Sequence, residues 1–251
     1  MTKQEPWEEY NVAWNHILEG RYQVAIAMFE RFLPDTSSLP VWGNYGIALL
    51  LNGDPQAAEK AFRNVRELPN SRWVSNLKVG AALWYQGKQE EACADWLQQL
   101  VRIKTTKVRY DSASGLYLAA LLWWASLRMD APESTQAALS EIRLLRGWED
   151  QAEEWGMTMT SFILGEITPD EFLLNAAGSL DLEGLALNIG QCRRTAQCFF
   201  YLAARYPSGS AGWRSDLESA LRYGTSQAVT KPEYLIARYE LSQCINENEA
   251  S

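Results

Sequence analysis

The stretch VWGNYGIALLLNGDPQAAEKAF, residues 41–62, decides the fold. Two of its three glycines, Gly46 and Gly53, lie seven residues apart. Gly46 stands on an apolar helical face among Trp42, Tyr45 and Leu49, where alanine would be better by about 1 kcal/mol. Gly53 stands where that face ends and is followed by Asp54 and Pro55. A glycine past a helix end takes a left-handed conformation without a Cβ penalty. An aspartate then accepts from the open N–H groups of the next helix, and a proline suits its first turn. The stretch therefore predicts a helix, a tight turn and a returning helix. A glycine kept within the first helix implies close approach of another element, and Ala58 on the returning helix is the expected neighbour.

Working outward, the same pattern recurs. Ala25, Ala58 and Ala92 are spaced by 33 and 34 residues. Each lies five after a glycine (Gly20, Gly53, Gly87) and four before a large aromatic (Phe29, Phe62, Trp96). Each also lies twelve after a small residue (Ala13, Gly46, Gly80). Self-similarity at a fixed period of this length is the mark of stacked supersecondary units. The physical content is a helical hairpin: small residues let two helices close up, and the aromatic fills the space beside the next hairpin.

These residues resemble the tetratricopeptide repeat (TPR) family, whose 34-residue unit reads W-x2-L-G-x2-Y, then A-x3-F, then P. The middle window fits with Trp42, Tyr45, Gly46, Leu49, Gly53, Ala58, Phe62 and Pro69. The first window departs with Glu9 and His16, and the third with Asn76 at the tryptophan position. The resemblance covers residues 6 to about 104. It implies an all-α fold, a right-handed superhelix of antiparallel helical hairpins closed by a C-terminal capping helix, in one domain over 1–251. Residues 105–245 would form degenerate hairpins and the cap, and Asn246–Ser251 a frayed polar tail.

Helical periodicity continues through the second half. It places helices near Ser112–Arg128, Pro132–Leu145, Trp148–Leu164, Pro169–Ala176, Leu182–Tyr206, Ser210–Tyr223 and Pro232–Ile245. Thr168 before Pro169 reads as a cap. Leu217 and Ala220 take the aromatic-like and small places of a last hairpin. Asp130–Pro132 and Pro207–Ser210 read as turns, and no linker long enough to separate domains is present. The closing segment is similar to the tail of the NlpI family of bacterial lipoproteins, which are TPR adaptors. The lipobox cysteine of that family is absent, so its membrane location is not carried over.

Composition narrows the function. The chain of 251 residues is 47% hydrophobic and 22% charged, with a net charge of −8. That material is ample for a core. The acidic balance opposes sequence-independent nucleic-acid binding, which needs a basic face, and opposes docking on an anionic membrane. It permits a basic protein partner. The start MTKQEPWEEYNVAW lacks a basic region followed by an apolar run, so no signal peptide is expected and the expected location is cytoplasmic. The most apolar run, Gly115–Leu127, has 13 residues, too short to span a bilayer. Cys93, Cys192, Cys198 and Cys244 form no C-x-x-C pair and read as reduced, buried residues.

Residues for catalysis are sparse. The one histidine, His16, fills a slot that TPR units give to a packing tyrosine, and no orienting partner is evident in the sequence. Cys192 and Cys198 lie six apart with no histidine nearby, which does not make a metal site. Glu149 and Glu153, in WEDQAEEW, share a helical face that reads as a solvated side or as a small acidic patch. No phosphate loop, nucleophile elbow or kinase set is present. No catalytic residue, metal or cofactor is therefore assigned.

The resemblance implies that the first helix of each unit lines a concave surface where partners lie. The expected lining is Trp7, Tyr10, Trp14, Asn44, Ile47, Leu51, Lys78, Trp84 and Tyr85, with Ile17, Gly43, Leu50 and Leu77 beside them. Some TPR adaptors grip a terminal carboxylate with Lys, Asn and Arg. Only Asn44 and Lys78 match such places, while Tyr10, Trp14 and Val74 replace the rest. The alternative for Trp7, Trp14 and Trp84 is burial in the core, since large aromatics serve both cores and interfaces. The expected function is a non-enzymatic scaffold, adaptor or chaperone that binds another protein or peptide. An immunity-type inhibitor of a toxin is the alternative, because acidic charge steers capture of a basic target. A helical enzyme, or a self-assembling repeat whose partner is a second copy, stands behind both.

Overall fold

A computed structural model describes residues 6–33, 37–68, 77–106, 112–147, 154–224 and 228–249. Among them are thirteen α-helices, one short 3-10 turn and no strand. Pro69, Val74, Asn76, Asp111, Glu149 and Glu153 lie outside the described residues. The contacts gather the chain into two compact units, Met1–Lys88 and Gln89–Ser251.

The first unit holds α1 (Pro6–Leu18), α2 (Tyr22–Glu30), α3 (Leu39–Leu51), α4 (Pro55–Glu67) and α5 (Lys78–Tyr85). Each helix packs on the next, and α1 also meets α3. The recurring small residues and aromatics are its core: Ala13, Ala25, Phe29, Ala58 and Phe62 are fully buried, and Gly46 and Gly80 are buried too.

Gly53 behaves as the sequence requires. Its φ is +87°. Its N–H donates to the Leu50 carbonyl at 3.2 Å, and the Asp54 N–H donates to the Leu49 carbonyl at 3.0 Å. That pair of bonds satisfies the last carbonyls of α3. Asp54 Oδ1 then accepts from the Ala57 N–H at 2.9 Å and opens α4. Gly20 and Gly87 also have positive φ and make the same pair of bonds.

Gly46 differs from the expectation in one respect. A Cβ built there would lie 2.4 Å from Cε1 of Phe62, inside its ring contact. The element that needs the missing side chain is thus the aromatic of A-x3-F, one turn beyond Ala58. A helix rises about 5.4 Å per turn, so the bulky ring reaches across while Ala58 fills its own buried place.

The second unit holds α6 (Gln89–Thr106), α7 (Ser112–Arg128), α8 (Pro132–Arg146), α9 (Glu154–Ile163), α10 (Pro169–Ala177), α11 (Ile189–Ala203), α12 (Ala211–Tyr223) and α13 (Pro232–Glu249). Neighbours in sequence pack as pairs, and α13 lies on both α11 and α12. Between α7 and α8 the turn of the first unit returns in disguise. Asp130 has φ +50°; its N–H donates to Leu127 at 3.3 Å and the Ala131 N–H donates to Ser126 at 2.9 Å. Aspartate tolerates this region better than most residues.

Three expected boundaries are corrected. The helix expected over Leu182–Tyr206 spans Ile189–Ala203, and it starts late because Asn188 and Gln191 form a reciprocal capping box there. The helix expected from Trp148 is described from Glu154, with 148–153 outside the described residues. Helix α13 continues to Glu249, four residues past its expected end at Ile245. The remaining expected helices agree within one residue. Thr168 caps α10 with Glu171 as expected, and Leu217 and Ala220 are fully buried.

The second unit is tied together by polar groups as well as by rings. Trp155 and Phe162 both stack on Phe172, at 5.3 and 4.6 Å. Trp155 Nε1 donates to Gln197 Oε1 at 3.0 Å. Gln197 Nε2 donates to Glu233 Oε1 at 2.9 Å, and the Tyr201 hydroxyl donates to the same oxygen at 3.3 Å. Two turns along α13, Glu240 accepts from Arg128 Nη2 at 2.8 Å and from its Nε at 3.2 Å. The Arg128 guanidinium also lies 5.2 Å from the ring of Trp213. Glu233 and Glu240, seven residues apart, are both buried. They fix where α13 sits, since a slipped helix would leave carboxylates buried without partners.

Candidate functional site

The residues expected to line a partner surface fall into three groups. Trp7, Tyr10 and Asn44 are brought together. The rings of Trp7 and Tyr10 meet edge to face at 5.5 Å. Tyr10 reaches Phe29 at 6.1 Å, so one side of its ring rests on the core. Its hydroxyl accepts from Asn44 Nδ2 at 2.7 Å, which ties the first helices of successive hairpins. Burial pushes the Tyr10 phenol above its usual range. Trp7 is 58% exposed, a large apolar ring left facing water.

Trp14, Leu51, Lys78 and Tyr85 are half-buried. The first two extend the face along α1 and α3, and the last two stand at the ends of α5.

Ile47 and Trp84 are the correction. Ile47 is fully buried and Trp84 is 2% exposed. Both belong to the core, so neither contributes to an exposed lining. Their helices explain the error. LPVWGNYGIALLL and KVGAALWY are apolar nearly all round, and such a helix gives no sign of which apolar side stays open. Ile17 and Leu50 are buried for the same reason.

Sequence reasoning missed one neighbour of this face. Tyr45, one residue past Asn44, donates from its hydroxyl to Glu30 Oε1 at 3.2 Å and contacts Trp42 edge to face. Tyr45 thus reaches α2, with Trp42 packed against it.

His16 has a partner after all. Its Nδ1 accepts from Arg21 Nε at 2.7 Å, and Arg21 also pairs with Glu19. That contact staples the α1–α2 turn. Cys192, Cys198 and Cys244 are buried and Cys93 half-buried, all as free thiols. Burial raises the Cys198 thiol well above its usual range and Cys93 to about 11, so both stay protonated and unreactive at neutral pH. Among the described residues no group of three or more His, Cys, Asp and Glu is placed to hold a metal ion. Among them, too, no helix is long and apolar enough to cross a membrane.

The second unit has a cleft of about 480 Å³ lined by Arg143, Arg146, Gly147, Met157, Leu164 and Glu166. Arg146 is already engaged there, donating to Glu166 Oε1 at 2.7 Å and to Ser161 Oγ at 3.1 Å. The cleft also lies at the C-terminal end of α8, where carbonyls oppose an anion. The Arg146 contacts brace α8 against α9 and the turn that follows it. No family model matches this chain, and no curated protein matches it.

Proposed function

We propose that the protein is a non-enzymatic, TPR-like scaffold that holds a partner protein on the α1–α3 face. Trp7, Tyr10, Trp14 and Asn44 would make the contact, with Leu51, Lys78 and Tyr85 flanking. The observation that carries this reading is the pairing of an exposed Trp7 with a rigid support. Tyr10 is pinned between Asn44 and Phe29, so the tryptophan rests on a surface that does not have to be ordered on binding. Rigid, amphipathic aromatics with little freedom left to lose are typical binding hot spots. Three buried sets of a small residue, an alanine and an aromatic, spaced by 33 and 34 residues, support a stacked repeat array, and such arrays present extended surfaces suited to binding. Assigning the superhelix and the role of its surface rests on the likeness of residues 6–104 to TPR units, which is analogy.

The test is capture. The purified protein would be immobilised, and bound proteins from a native lysate identified by mass spectrometry. The Trp7→Ala/Trp14→Ala variant should lose a partner that the parent retains, with unchanged helical circular dichroism. Retention of every partner by a folded variant would remove the α1–α3 face from the account.

A further inference from the structure

The negative charge of this chain is not spread evenly. Gly147–Cys192, 46 residues, contains nine acidic residues and no Lys, Arg or His. With a chain total of −8, this segment carries −9 and the remaining 205 residues sum to +1. Within it, the residues from Gly178 to Asn188 connect α10 to α11 without regular structure.

That connection is a closed lobe. Gln191 Nε2 on α11 donates to the Ala177 carbonyl at the end of α10, at 2.9 Å, and draws the two ends together. Ser179 and Asp181 brace its interior: Asp181 Oδ1 accepts from the Glu183 N–H at 3.0 Å, and the Leu185 N–H donates to Leu182 at 3.3 Å. Compact surface loops with joined ends are frequently functional. Leu182 is tucked in as the anchor. Leu180 and Leu185 on the lobe, and Leu174 and Ile189 on its two stems, are left 41–58% exposed. A braced loop gains nothing in stability from aliphatic side chains held in water. The charged neighbours Asp181 and Glu183 are exposed as well.

We propose that this lobe is a docking surface for a basic, amphipathic segment of another protein, one that carries Lys or Arg around an aliphatic stripe. The exposed leucines and isoleucine supply the apolar contact, and the exposed carboxylates Asp181 and Glu183 between them supply charge complementarity and steering. These carboxylates oppose the phosphates of nucleic acid and of an anionic membrane. The surface belongs to the second unit and is independent of the α1–α3 reading.

The probe is a synthetic amphipathic Leu/Lys helix, with a Leu/Glu helix of the same pattern as control, titrated into the full chain. The Leu/Lys peptide should bind, more weakly as salt rises, and the Leu/Glu peptide should not. Leu180→Ser/Leu185→Ser/Ile189→Ser leaves the charge intact and should weaken binding at least about tenfold. Asp181→Asn/Glu183→Gln should flatten the salt dependence. All five positions are exposed, and a melt by circular dichroism confirms that each variant is folded. No binding to the parent, or equal binding to the triple serine variant, overturns the proposal. A parent dimer that the triple serine variant converts to monomer also overturns it, in favour of a second copy as the occupant.

Discussion

The two units solve one problem, fixing the register of packed helices, with different chemistry. In the first unit it is fixed by shape. Gly46 leaves out a side chain where Phe62 needs room, and glycines at positive φ close the helices at equal intervals. In the second, Gly165 closes a turn in the same way and Gly212 and Gly224 make room for Tyr206 and Tyr234, and buried polar partners are added to shape. Glu233 and Glu240 lock α13 to α11 and α7, and one turn is closed by an aspartate. Added volume breaks the shape device, and removal of a cation breaks the polar one.

Gly46→Leu presses hardest on this contrast. The new side chain would occupy the space of the Phe62 ring, and stability should fall by about 3 kcal/mol, read from urea unfolding. An unchanged midpoint would mean that the two helices are not closely packed. Next comes Arg128→Met, which keeps an unbranched apolar side chain but removes the guanidinium from Glu240 and from the Trp213 ring. The expected loss is about 2 kcal/mol, and adding Glu240→Gln should restore some of it. Full additivity of the two substitutions would show that the pair does not set the register.

The turns offer a paired test of opposite sign. Gly53→Ala should cost about 1 kcal/mol, because alanine is strained at φ +87°. Asp130→Gly should be neutral or gain up to about 1 kcal/mol, since the same conformation is there held by a residue with a Cβ. If both substitutions destabilise equally, the two turns are not equivalent.

Alkaline pH gives the smallest effect at neutrality and a clear sign. Burial, then the negative charge of Glu233, push the Tyr201 phenol well above its usual range near 10. A phenol whose folded pKa is raised stabilises the fold fully below the unfolded pKa. That contribution is lost as pH rises above about 10 toward the folded value. Melting temperature should therefore drop from pH 9 to pH 11, and Tyr201→Phe should make the drop shallower. A variant as pH-sensitive as the parent would assign the effect to the other raised tyrosines, Tyr10, Tyr45 and Tyr239.

The contrast also explains what could be read without coordinates. Small residues, turn glycines and aromatics are scarce enough that their spacing stands out, so the hairpins of the first unit were legible. The Asp130 turn was hidden because its left-handed residue is not a glycine. The start of α11 was hidden because Leu182–Leu187 has helical composition, and only the Asn188–Gln191 cap distinguishes loop from helix. At the candidate site, spacing left Trp7 and Trp84 alike between groove and core, and only the packing shows Trp7 outside and Trp84 inside. Burial of Ile47 and Trp84 depended on which side of an all-apolar helix a neighbour covers, which spacing does not encode. The lobe at Gly178–Asn188 was missed for a related reason: a leucine-rich stretch looks like core until its backbone is seen to leave those leucines outside.

The central claim is that an exposed aromatic face in the first unit receives a protein partner. The most direct measurement is calorimetric titration of the captured partner into the parent, Trp7→Ala/Trp14→Ala and Leu180→Ser/Leu185→Ser/Ile189→Ser. The account predicts that Kd rises at least about tenfold in the tryptophan variant, with helicity and melting temperature kept. Parent-like affinity in a folded tryptophan variant would contradict it, and loss confined to the serine variant would move the docking face to the second unit.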